Sequence, residues 1–222
     1  MANGAGARAH GDALICLPRL RSWPGGAARL GWRDDRAAQL VEFAVALPLL
    51  VFFVIGIFDF SNAFTFKQKL TNVARDGARV AAADPANDLQ SPLPASVVDA
   101  FQEVDDYLLA NNINDCGITQ AGSQAGLTWT FTASGNGCPP LGLTIIINRG
   151  YYFPAAAATQ PVSVLCQPPG MGGGPAQTAV IGTCVSIQYG YQWRFGRIAS
   201  ILGSGTALPT TISGAAVAMN EN

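Results

Sequence analysis

An α+β fold with a long N-terminal helix, a second helix and a small antiparallel sheet is predicted by three observations along this sequence. An uncharged apolar run over residues 43–58 is followed by three-to-four spacing of apolar residues as far as residue 81. A second stretch from residue 96 repeats that spacing. From residue 127 onward the pattern changes to alternation, the signature of strands. Four cysteines beyond the apolar run add two disulfides to the expectation.

The chain has 222 residues, of which 49% are hydrophobic, enough for one modest domain with additions. Only 12% are charged, against roughly 25% in ordinary soluble proteins. With 25 Gly and 14 Pro, such an uncharged surface suits exported or assembled proteins. The net charge is -1 and no basic stripe with interleaved aromatics occurs, so nucleic acid is not an expected partner.

The first element is a membrane helix. Residues 43–58 read FAVALPLLVFFVIGIF, and extension back through Ala38, Leu40 and Val41 gives about 21 residues, or about 30 Å of helix. A secretory signal peptide is the rival reading, but Asp59-Phe60-Ser61-Asn62-Ala63-Phe64 lacks the small-residue site that would release it. Six Arg against three Asp over residues 1–36 give that stretch a net charge of +3, whereas the chain beyond residue 58 carries -3. Basic flanks stay in the cytoplasm. The expected organisation is therefore a cytoplasmic leader or tail over 1–37, a transmembrane helix over 38–58 and an extracytoplasmic domain over 59–222. An inner membrane is the expected location.

Two residues in the span call for a reason. Glu42 is a carboxylate within apolar sequence, which costs about 2–3 kcal/mol at mid-bilayer and less near an interface. Either it reaches water one turn from the cytoplasmic face, or it pairs with a positive group of a neighbouring subunit. Pro48 removes one helical hydrogen bond and bends the helix, which membrane helices tolerate. Beyond the span, Phe60, Phe64, Leu70, Val73, Ala74, Gly77, Ala78 and Ala81 extend the helix until Asp84-Pro85 ends it, at roughly 45 residues. Its small-residue face from Ala74 to Ala81 suits close backbone approach, by its own domain or by a partner.

The run Arg36-Ala37-Ala38-Gln39-Leu40-Val41-Glu42-Phe43-Ala44-Val45-Ala46-Leu47-Pro48-Leu49-Leu50 is followed by Gly56-Ile57-Phe58-Asp59-Phe60 and Asn72-Val73-Ala74-Arg75-Asp76-Gly77-Ala78-Arg79. This ordered pattern resembles the TadE-like family of minor pilins, or pseudopilins, of the Flp/Tad pilus and related tight-adherence secretion systems. The resemblance implies a pilin-like domain, lateral assembly through Glu42, Phe43 and Pro48, and partners among other pilin-like subunits, the Tad assembly machinery and membrane lipid. It also implies a prepilin peptidase that cuts between Ala37 and Ala38, making Glu42 the fifth residue of the mature chain. There it would pair with the free N-terminal amine of an adjacent subunit. The position before that cut is Ala37, where the family usually has Gly.

The second helix is signalled by Ser96 with Asp99 three residues on, a capping-box arrangement. Val97, Val98, Phe101, Val104, Leu108 and Leu109 form one face, and Asp99, Glu103 and Asp106 a solvated one. Strands follow at Leu127-Trp129-Phe131, at residues 143–147 and at Val185-Ile187-Tyr189-Tyr191-Trp193-Phe195. The last is read as a buried face against a helix rather than a carbohydrate platform. Residues 208–219 predict an edge strand, and residues 154–179, rich in Pro, Ala and Gly, a loop around a short strand over 162–166.

Cys16 falls in the cytoplasmic head, leaving Cys116, Cys138, Cys166 and Cys184 in an oxidising compartment. Of three connectivities, the sequence-local pairs Cys116–Cys138 and Cys166–Cys184 are expected, each stapling a loop to its strand. No C-x2-C or C-x4-C spacing points to a metal, and no cofactor is expected. His10, the only histidine, lies in the head, so a Ser-His-Asp or Cys-His arrangement cannot form beyond the membrane and an enzyme is not expected. Gly170-Met171-Gly172-Gly173-Gly174 lacks the Lys and Ser/Thr of a phosphate loop. The resulting expectation is a pilin-like assembly subunit supporting adhesion. Its rival is a membrane-anchored periplasmic binding module that enters no filament.

Overall fold

The structure, a computed structural model, describes residues 35–153, 162–167, 180–194 and 208–221. The N-terminal head with His10 and Cys16, residues 154–161 and 168–179 of the Pro/Gly-rich stretch, and Phe195 lie outside the described residues. Two compact units divide the chain, residues 1–46 and 47–222. The first contributes the opening turns of α1, a helix over Asp35–Ala83. The second contains the remainder of α1 and everything that follows.

In that second unit, α1 and α2 (Ala95–Ala110) cover one face of a five-stranded antiparallel sheet in the order β1-β2-β3-β4-β5. The strands are β1 (Ser123–Ala125), β2 (Thr128–Ala133), β3 (Leu143–Phe153), β4 (Val180–Gly190) and β5 (Thr211–Met219). Each pairs with its sequence neighbour, and facing residues align in rows such as Phe131, Ile145, Ile187 and Gly214. These rows are apolar because alternate residues point to the helices. Trp129, Phe131, Ile145, Ile147, Val185 and Ile187 are all buried there, each worth about 1.5–3 kcal/mol by transfer from water. Val97, Phe101, Val104 and Leu108 of α2 close the core from above, with Phe101 and Phe131 ring centroids 4.8 Å apart.

The close approach of α1 depends on small residues. A methyl group at Gly77 would lie 3.1 Å from Val104 Cγ2, and one at Gly214 would lie 2.5 Å from the Leu70 carbonyl carbon. Ala74, Ala78 and Ala81 are buried on the same side of the helix, so this face packs on its own domain.

A register shift between Asn148 and Tyr151 interrupts the β3–β4 ladder. The extra residue inverts the alternation. Tyr151 thereby leaves the face of Ile145 and Ile147 and joins Ile146, Cys166 and Cys184 in a small second cluster on the opposite face.

Several expectations need correction. A three-residue strand that the alternation did not signal, Ser123–Ala125, precedes β2. Leu127 lies in the β1–β2 turn and is exposed rather than part of the alternating row. Pairing in β4 starts at Val180 and stops at Gly190, so Tyr191 and Trp193 continue the aromatic row outside the ladder. Residues 162–167 form a turn and no strand. The capping box is not formed: α2 begins at Ala95 with Pro94 at its N-cap and no side-chain cap, and Ser96 is buried. Asp88 serves instead, its Oδ2 accepting from the Ala95 amide at 2.7 Å. That carboxylate meets an orphan donor at the positive end of the helix.

Candidate functional site

In the first unit, Ala38, Glu42 and Phe43 are helical and exposed, and the Ala37–Ala38 peptide lies in the opening turns of α1. In the second, Pro48 lies within the helix, and Phe53, Ile57 and Phe58 remain more than 60% exposed. Among the described residues, α1 is the one helix long and apolar enough to cross a membrane, and none of its most apolar window is covered by the rest of the protein. A helix that is apolar all round and uncovered requires lipid or other helices as surroundings.

Asp59 is the first buried residue along α1, after half-buried Phe52, Ile55 and Gly56. Its Oδ1 accepts from the Tyr191 hydroxyl at 3.5 Å. Burial, and then the charge of Asp59, push the Tyr191 phenol up from its usual range. Around this contact the aromatic row meets the helix: Phe60 and Trp193 centroids are 5.4 Å apart, Phe66 and Tyr189 5.2 Å, and Tyr191 and Trp193 5.1 Å. Tyr189 is buried, and its hydroxyl donates to the Asn114 carbonyl at 3.0 Å. The row is thus consumed by packing against α1, as a sheet face, and Trp193 fixes its indole by donating to the Pro209 carbonyl at 2.6 Å.

Residues 37–79 match the TadE-like protein family. The matched segment contains both the uncovered apolar helix and the turns that dock on the sheet. Neither a curated protein nor a solved structure matches the chain.

The cysteines lie in two neighbouring pairs. Cys116 and Cys138 have Cα atoms 5.2 Å apart, and Cys166 and Cys184 5.6 Å apart, inside the range for disulfides. The first joins the turn after α2 to the β2–β3 connection, and the second pins residues 162–167 to the outer sheet face. Asn148 Nδ2 donates to the Cys166 carbonyl at 2.9 Å, and Ser186 donates to the Val164 carbonyl at 2.5 Å.

Arg149 is a structural residue absent from the sequence reading. It is 1% exposed, and its guanidinium donates to Thr183 Oγ1 at 2.9 Å, the Asp84 carbonyl at 3.0 Å and the Ala81 carbonyl. A single Arg interrupting the apolar strand Leu143–Phe153 was the available signal, because a buried cation demands partners. Among the described residues, no group of three His, Cys, Asp or Glu is placed to hold a metal.

Proposed function

We propose that this chain is a minor pilin or pseudopilin-like subunit that assembles laterally through its N-terminal helix in Flp/Tad pilus biogenesis or related secretion, supporting adhesion. The observation that carries this reading is the TadE-like match over residues 37–79 on a helix whose apolar stretch has no cover from its own domain. Helices without a hydrophobic driving force between them associate in lipid by close packing and polar contacts. Lateral packing in the inner membrane gives that stretch its partners, with the N-terminus cytoplasmic and the sheet domain periplasmic.

In this mechanism a prepilin peptidase severs Ala37–Ala38, freeing an amine at Ala38. Glu42 of a neighbouring subunit pairs with that amine, offsetting the cost of a carboxylate in apolar surroundings. Phe43 and Pro48 shape the contacting helix surface. The domain supplies no catalysis; it displays a disulfide-stapled sheet at the outer end of the assembly.

The test is the N-terminal sequence and mass of the protein from native membranes, with affinity capture of pilus components. The expected result is a chain starting at Ala38 that captures other pilin-like subunits only when its apolar helix is present. A chain retaining residues before Ala37 and capturing no such subunit would sink the assembly reading and favour a static membrane-anchored binding module. The aromatic row argues against that rival, since its large side chains pack on α1 rather than forming an open platform.

A further inference from the structure

We propose that a phospholipid is held where α1 emerges from its apolar stretch, with an acyl chain against Phe53, Gly56 and Ile57 and its phosphate beside Lys67. The proposal rests on the reading of residues 38–58 as a membrane span, and it adds a bound lipid to what that span and the sheet domain do together.

Two adjoining cavities carry the argument, and both are bordered by Phe60 and Trp193. The first, about 340 Å³, is formed by Phe52, Phe53, Gly56, Ile57 and Leu208, with Asp59 at its edge engaged by the Tyr191 hydroxyl. The second, about 360 Å³, has Phe64, Lys67, Thr211 and Ser213 in its wall. Moving outward along α1, the lining therefore gains hydroxyls and an ammonium on a wall that is otherwise still apolar. A phospholipid in the outer leaflet has the same order, hydrocarbon first and anionic phosphate second.

The vertical spacing agrees. Lys67 is eight residues beyond Asp59, about 12 Å of helix rise, and side chains on a helix slant toward its N-terminus, here back toward the membrane. The ammonium is thereby brought toward the headgroup layer, which occupies roughly 5–8 Å beyond the hydrocarbon. Phe60 and Phe64 are 65% and 63% exposed although they lie past the span. Trp193 occupies the level at which amphipathic rings collect in membrane proteins. Its indole N–H is engaged by Pro209 and its ring packs on Phe60 and Tyr191, so that only the remaining ring edge borders the two cavities. The cleft is continuous with the apolar span itself, and Lys67 supplies charge complementary to a phosphate. These features favour lipid over a second copy of this chain.

The full-length protein, reconstituted in mixed phosphatidylcholine and phosphatidylglycerol vesicles, provides the test through tryptophan fluorescence. Bromine is placed at acyl positions 6,7 or 11,12 of one lipid species at a time. The difference between wild type and Trp193→Phe isolates Trp193, and near-ultraviolet circular dichroism checks that the variant is folded. The expected result is at least twofold stronger quenching of the Trp193 component by the shallow bromines than by the deep ones. At equal mole fraction, brominated phosphatidylglycerol should quench at least twofold more than brominated phosphatidylcholine, and Lys67→Gln should abolish that preference.

Failure of the protein to float with the vesicles would overturn the span and this proposal together. Flotation with Trp193 quenched by aqueous iodide but by neither bromine would overturn the lipid site alone. Equal quenching by the two lipid species would reduce the cleft to bulk lipid contact and also overturn it. Quenching that declines as protein is concentrated at constant lipid would assign the cleft to a second copy instead.

Discussion

The guanidinium of Arg149, on β3, donates to the main-chain carbonyl of Ala81 in the last turn of α1. That turn has no basic residue of its own, yet it ends with unsatisfied carbonyls at the negative pole of the helix dipole. Arg149 also reaches the Asp84 carbonyl, and Thr183 passes the network on to Asn220 Oδ1 at 2.7 Å. One cation thus joins the helix terminus, the sheet and the C-terminal segment. Replacement by Met would fill similar volume but leave buried acceptors without donors, at about 2–3 kcal/mol. Thermal denaturation of Arg149→Met should show a Tm lower by roughly 5–10 °C. Arg149→Lys should recover only part of the loss, because an ammonium cannot reproduce the planar fork. An unchanged Tm for the Met variant would remove the capping role.

The same corner sets a pH dependence. Burial, followed by the charge of Asp99, raises the Asp84 pKa above its ordinary 3.8, with Arg149 acting in the opposite direction. An acid whose folded pKa exceeds its unfolded value binds its proton more tightly in the native state. Its contribution is complete below the unfolded value and is lost as pH rises through the folded one. Asp84→Asn, which cannot ionise, should therefore raise Tm relative to wild type at pH 7 and give a smaller advantage near pH 3.5. Melting curves at the two values would check this, and a difference that grows on acidification would contradict it.

Two glycines should respond differently to the same added methyl. At Gly77 the neighbour is a side-chain methyl of Val104 at 3.1 Å, which can shift, and Ala gains up to about 1 kcal/mol over Gly within a helix. At Gly214 the neighbours are main-chain atoms of Leu70 and Thr71, both at 2.5 Å, and no rotamer relieves that contact. Gly77→Ala should be within about 1 kcal/mol of wild type, whereas Gly214→Ala should cost about 1–3 kcal/mol through overpacking. Denaturant unfolding of the two variants gives the ranking, and the reverse order would refute the packing argument.

Legibility in the sequence followed the range of the interactions. The long helix was readable because apolar spacing and the Asp84-Pro85 stop are local signals. The Val185, Ile187 and Tyr189 face was readable for the same reason, and the fate of Tyr191 and Trp193 followed from it. Asp88 as the cap of α2 was hidden, since its carboxylate accepts from an amide seven residues further on while Ser96 offered a standard motif nearby. The inversion at Asn148–Tyr151 was equally hidden, because an alternating pattern gives no sign of where one extra residue enters. Arg149 was visible as an oddity, but its partners on α1 and β4 come from 68 and 34 residues away.

The two cysteine pairs should differ in what they hold. Replacing Cys166 and Cys184 with Ser should cost about 2–4 kcal/mol and free residues 162–167 from the outer sheet face, leaving the helix-side core intact. Replacing Cys116 and Cys138 should cost a similar amount but loosen the junction between α2 and the sheet. Hydrogen exchange of the two variants should separate these effects, with the Leu165 and residue-166 amides, bonded to Ser163, losing protection in the first and the turn after Leu108 in the second. Loss of protection across the whole sheet in either variant would mean that the bridges support the core directly.

Glu42 gives the sharpest test of assembly. Glu42→Gln preserves side-chain length and hydrogen-bonding atoms while removing the charge, so insertion into the membrane should be no poorer than in wild type. On the proposed pairing with the Ala38 amine, however, the variant loses an ion pair formed only between subunits. A coupling of about 1.4 kcal/mol corresponds to tenfold in association, and a desolvated pair should exceed it. Quantitative immunoblots of sheared filaments against membranes should therefore show incorporation reduced at least tenfold with membrane levels unchanged. Glu42→Asp should fall between, its carboxylate being one methylene short. Equal incorporation of Glu42→Gln and wild type would leave Glu42 as a residue that only reaches interfacial water, and the amine pairing would have to be abandoned.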